Sequence, residues 1–223
     1  MRAEQPRLFR WFSPGLGRVR SYTPEMTRHA RPILSVLLLV VLPGWFTQAF
    51  ARQSWTFDPE LLMARSEAVI TRAPDAQLDS LFQAVAESAR RPQELQAMCA
   101  VFDPRARRDL AALNDIALGM GPQSQRNFQR VTEALLQVSS DSPLQPYDAA
   151  LAQRALRQAA VAAAMLFDGF VAAINNPASD PASQRARCRA LRQLLDTVSM
   201  RPRHERAMIT RLLMREGLQR IER

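Results

Sequence analysis

Lysine is missing from this chain: all 30 basic side chains other than histidine are arginine. With its abundant alanine, that bias reads first as coding from GC-rich DNA and only second as function. Cysteine and histidine occur twice each, and of the two histidines only His204 lies beyond residue 51. Zinc sites use three or four Cys, His or acidic ligands at set spacings, and His204-Glu205 lacks the second histidine of H-E-x-x-H. No C-x-x-C pair supports thiol redox chemistry. A G-x-S-x-G elbow, a Walker-type glycine loop and a dinucleotide fingerprint are also lacking. A Ser–His–Asp triad has little to draw on with a single histidine. No catalytic residue, metal ligand set or cofactor is therefore assigned.

An excess of positive charge is present, but it is unevenly placed. Of the formal +9, residues 1–51 carry net +5, seven Arg against Glu4 and Glu25. Residues 52–223 carry 23 Arg against 19 acidic side chains, net +4. Mixed charge of that size is a matter of solubility before it is a nucleic-acid footprint, so nucleic acid is not an expected partner. Hydrophobic residues make up 47% and phenylalanine occurs ten times, which is enough apolar material for a core and argues against general disorder.

A ten-residue apolar run, residues 33–42, follows Arg28, His29, Arg31 and Pro32 and precedes Ala49-Phe50-Ala51. A basic flank, a short apolar stretch and an A-x-A site in that order describe a secretory signal, here residues 26–51 with cleavage after Ala51. No cysteine stands at the cleavage site, which argues against a lipid anchor. Translation from Met26 gives a leader of ordinary length, so residues 1–25 are either a mis-assigned start or a disordered extension. The alternative is an uncleaved anchor over residues 33–51, close to the roughly 20 residues that cross a bilayer. Both place residues 52–223 outside the cytoplasm, in the periplasm or secreted.

Helical signals fill those residues. Asp58-Pro59, Asp103-Pro104 and Asp180-Pro181 look like helix starts, an Asp cap followed by a proline that needs no donor, and Pro92 and Pro202 can open helices similarly. Leu78, Leu81, Phe82 and Val85 share a face; so do Leu95, Met98, Cys99 and Phe102, then Phe128, Val131, Leu135 and Val138. Gly119 and Gly121 suit a helix end. The longest candidate, residues 147–175, would span roughly 40 Å. It is apolar on nearly every side around residues 159–166, as expected of a central helix. Asp168, beside Gly169, is placed on its solvent face. A terminal helix has Met208, Ile209, Leu212, Leu213 and Ile221 inward with Arg203, Arg206, Arg211, Arg215 and Arg220 outward. The expectation is an all-α bundle or array of about seven or eight helices, a single domain over residues 52–223 without internal repeats.

Cys99 and Cys188 each fall on the apolar stripe of a helix, and in an oxidising compartment a disulfide is the favoured state. Closing a loop of about 90 residues would stabilise the fold by about 4–5 kcal/mol on chain entropy. Two arginine clusters, 105–108 and 185–192, make Arg105, Arg108 and Arg192 candidates for an anionic partner surface; Asp109, Glu94 and Asp196 can offset them. Phe102-Asp103-Pro104-Arg105-Ala106 with Gly119-Met120-Gly121 resembles the phenylalanine–proline–alanine and glycine region of soluble lytic transglycosylases, helical enzymes that act on the cell wall. Their catalytic glutamate would fall at position 99, which is Cys99, so no activity is carried over. Glu87 and Glu94 stay as formal general-acid candidates.

Export and helices without chemistry point to a periplasmic binding or accessory protein whose partner is another envelope protein, with transient membrane contact and any oligomeric state open. The alternatives are an envelope hydrolase with an unassigned Glu/Asp pair, and a membrane-surface protein using its C-terminal amphipathic helix.

Overall fold

Capping decides where several helices of the computed structural model begin. It describes residues 59–100, 103, 106–107 and 109–221; residues 1–25 and 26–51, expected as an extension and a secretory signal, lie outside them, as do Arg105 and Arg108. Asp148 accepts from the backbone N–H of Ala150 and Leu151, and Asp180 from those of Ala182 and Ser183. The bonds to the Asp180 carboxylate, led by the Ser183 hydroxyl, hold its pKa below the usual value. The helices are α1 (Pro59–Arg72), α2 (Asp75–Ala89), α3 (Pro92–Ala100), α4 (Leu110–Gly119), α5 (Pro122–Leu136), α6 (Ala149–Leu166), α7 (Phe170–Asn175), α8 (Pro181–Ser199) and α9 (Arg203–Ile221). The described residues contain no strand. The all-α class expected from periodicity is the class observed.

Three apolar clusters join these helices. Val69, Leu78, Val131, Leu135 and Ala207 bring together α1, α2, α5 and α9. Phe82, Ala155, Ala159, Val198 and Ile209 join α2, α6, α8 and α9. Ala163, Phe170, Ala173 and Ala190 close the α6–α7–α8 end.

Three sequence expectations need correction. Asp103 starts no helix: α4 begins at Leu110, capped by Asp109, whose carboxylate accepts from Ala112 N at 2.8 Å. The long helix over 147–175 is broken at Gly169, which adopts φ 77°, a left-handed conformation that glycine takes without steric cost. Nor is α6 central. The pair α2 and α9 holds the most extensive packing, and α6 lies on α8 and α9 with one side open.

The C-terminal helix is also turned from the expected register. Arg211 is 1% exposed, and its guanidinium donates to Ile70 O and, at 2.7 Å, to Ala73 O. The last carbonyls of a helix have no partner within it, and Arg211 supplies donors to the end of α1. Asp75 lies 3.4 Å away. The Tyr147 ring centroid is 5.9 Å from Cζ. Arg206 turns inward too, with Nε 2.6 Å and Nη2 3.0 Å from the two Asp79 oxygens.

Candidate functional site

The most distinctive surface lies on α6 and α7. Alanine has little to bury, whereas a large aliphatic side chain loses favourable free energy when left in water. On α6 the ordinary arrangement is inverted. Ala152, Ala159 and Ala163 are fully buried, and Val161, Met165 and Leu166 are 57%, 83% and 60% exposed. Small inward residues let α6 lie close on α8 and α9, and the large ones are left outside. Val171 on α7 continues the exposed set. Between Ala159 and Ile174 the only charge is Asp168, which is exposed, as expected.

The disulfide forms a second feature. Cys99 on α3 is bonded to Cys188 on α8, with their Cα atoms 5.4 Å apart. Beside it, Asp103 accepts from Ser179 Oγ at 3.0 Å, Gln184 Nε2 at 2.8 Å and Arg187 Nη2 at 3.1 Å. Arg187 is itself buried and also donates to the carbonyls of Asn176 and Ala178. A covalent bond and a buried ion pair thus tie the segment after α3 to the start of α8.

The remaining candidates separate. Arg192 is half-exposed and faces Asp196, one helical turn on, at 3.8 Å. Glu94 lies at the start of α5: its Oε1 accepts from Gly121 N at 3.2 Å, and its Oε2 accepts from the Ser124 hydroxyl. Ser124 in turn accepts from Ser88 Oγ at 2.6 Å and Arg91 Nη1 at 2.7 Å. A Cβ at Gly121 would stand 2.8 Å from Glu94 Oε1, so a side chain there would displace the carboxylate from its present position. Glu94 caps α5 from another helix, a role that spacing within either helix does not reveal. Glu87 is paired with Arg90 at 3.1 Å and Arg91 at 3.4 Å.

A pocket of about 160 Å³ lies elsewhere, between the α1–α2 turn and the segment after α5; Arg72, Gln77, Gln137 and Gln145 are among its lining residues, and among the described residues no carboxylate lines it. The described residues hold no group of three His, Cys, Asp or Glu suited to a metal ion. Sequence periodicity alone missed the α6–α7 face because α6 carries two apolar stripes and the reading buried both. The inward one is marked by alanine at 152, 155, 159 and 163. In comparison with known proteins, the chain matches no family model, no curated protein and no solved structure.

Proposed function

We propose that this chain is an exported accessory protein that works through protein–protein contacts, with the α6–α7 face as its contact surface. The observation that carries the reading is the inverted burial of α6: Val161, Met165 and Leu166 are exposed over an alanine-lined interior. Large aliphatic side chains clustered on an exposed face are what interaction sites present, and an exposed helix face supplies such a site without any catalytic group. Export is supported by the order of basic flank, apolar run and A-x-A site, and by a disulfide, which persists in oxidising compartments and is rare in the cytosol.

The test of export is to express the chain from Met1, fractionate the cells and map the N-terminus of the recovered protein. The expected product lies in the envelope or medium and begins at Arg52, with both cysteines resistant to alkylation until reductant is added. A cytoplasmic product that retains residues 26–51 and alkylates at Cys99 and Cys188 when denatured would overturn the reading.

A further inference from the structure

We propose that the pocket between the α1–α2 turn and the segment after α5 binds the carboxyl end of a peptide, with Arg72 on the carboxylate and Gln77 on the last amide N–H. The site shares no residue with the α6–α7 face, so it stands or falls apart from the contact read there.

The chain's own bonds fix the walls. Ser139 N donates to Ser142 Oγ at 3.1 Å and Ser142 N to Ser139 O at 3.2 Å, closing a turn after α5. Gln145 N donates to Thr71 O at 3.0 Å, and Arg72 Nη1 donates to Ser142 O. The segment is thereby tied to the last turn of α1. Pro74, Val138 and Pro143 supply the apolar lining.

The polar lining selects the ligand. Arg72 is the one charged side chain among the described lining residues, and it forms no ion pair among the described residues. The acids closest in sequence to these walls do not offset it. Asp75 faces Arg211 at 3.4 Å, Glu133 accepts from Gln129 at 2.9 Å, and Asp141 is exposed outside the lining. A guanidinium with one N–H on a carbonyl and others uncommitted suits a carboxylate. A phosphate group brings about −1.5 to −2 charge at neutral pH, more than one arginine balances. Gln77 lines the same pocket, and its Oε1 is shielded from solvent and accepts no hydrogen bond. An acceptor left in that state is costly, and an N–H on an occupant relieves it once the amide turns toward the pocket. A carboxylate and an N–H in one small group are what the last residue of a peptide presents.

The size agrees. The volume of about 160 Å³ is close to the roughly 150 Å³ that holds one benzene. Sites that enclose a whole ligand run to about 300–1,000 Å³. There is room for one small residue, with the rest of the peptide outside.

NMR titration of the purified, oxidised chain, expressed from Met1, tests the assignment. N-acetyl-L-alanine is expected to shift the side-chain signals of Arg72, Gln77 and Gln145 with a Kd of about millimolar, what some nine non-hydrogen atoms supply. A hexapeptide ending in alanine should bind at least as well. N-acetyl-L-alaninamide, without the carboxylate, and propionate, without the N–H, should each bind at least about tenfold more weakly. Arg72→Gln keeps a donor for Ser142 O and should lose N-acetyl-L-alanine binding. Gln77→Met should weaken N-acetyl-L-alanine and leave propionate unchanged, and Arg130→Gln, exposed on α5, should change neither. No shift at these side chains well above millimolar concentration would overturn the site. Binding of the amide equal to that of the acid, or of the acid to Arg72→Gln as to wild type, would overturn the role of Arg72. Binding of N-acetyl-L-alanine but not of the hexapeptide would overturn the peptide end as ligand.

Discussion

Replacing Arg211 with alanine is expected to lower stability by about 3–5 kcal/mol, the cost of breaking a buried charged network from one side. The guanidinium is enclosed between α9, the α1–α2 turn and Tyr147, and two of its nitrogens serve carbonyls, that of Ile70 in the last turn of α1 and that of Ala73 just after it. Alanine at 211 leaves those carbonyls without donors, removes the partner of Asp75 and opens a cavity under α9. Burial lowers the Arg211 pKa, and Asp75 acts against that; a guanidinium stays charged under these conditions. Arg211→Lys keeps the charge but lacks the planar fork that reaches both carbonyls, so an intermediate loss is expected. Arg189→Ala, on the exposed side of α8, should stay within about 0.5 kcal/mol of the wild type. Urea unfolding at neutral pH measures all three. Equal midpoints for Arg211→Ala and Arg189→Ala would mean that α9 does not dock through this side chain.

Removal of the Cys99–Cys188 bond is the second large effect. The bond spans 89 positions, and for a loop of about 90 residues the chain-entropy value is about 4–5 kcal/mol. It joins α3 to α8 at the place where Asp103 is bound by Ser179, Gln184 and Arg187, so those contacts form in a chain whose ends are already close. Cys99→Ala/Cys188→Ala is expected to lose about 2–5 kcal/mol. Asp103→Asn added to that variant should cost more than in the oxidised protein, because the Asp103–Arg187 ion pair there holds the segment without the disulfide. Unfolding of the oxidised protein, the reduced protein and the double alanine variant gives the comparison. An unchanged midpoint on reduction would show that the bond does not constrain the fold.

What could be read from the chain was local. Pro92, Pro181 and Pro202 mark helix starts because a proline ring and a missing N–H have consequences within one turn. Gly119 ends α4 as expected, and Cys99 and Cys188 pair as their apolar positions suggested. Tertiary choices were less visible. Asp103-Pro104 has the composition of a cap, yet its carboxylate is taken by Arg187 and Gln184 from α8. Residues 147–175 read as one helix until the left-handed turn at Gly169 divides them. On α6 both apolar stripes are consistent with burial, and only the close approach of α8 and α9 selects the alanine side. Arg211 repeats with outward arginines, but the backbone carbonyls of Ile70 and Ala73, at and just after the end of α1, draw it in. Glu94 looked like a general-acid candidate and is a cap for α5. Of the anionic-contact candidates, Arg192 meets Asp196 of its own helix, and Arg105 and Arg108 lie outside the described residues.

The central claim is that the exposed α6–α7 face makes a protein contact outside the cytoplasm. The most direct measurement places a photo-crosslinking amino acid at position 165 in living cells and compares it with the same probe at position 130, exposed on α5. The account predicts a discrete protein adduct from position 165 in the envelope or secreted fraction, with none of that size from position 130. Absence of any protein adduct at 165 in properly exported, oxidised protein would contradict it.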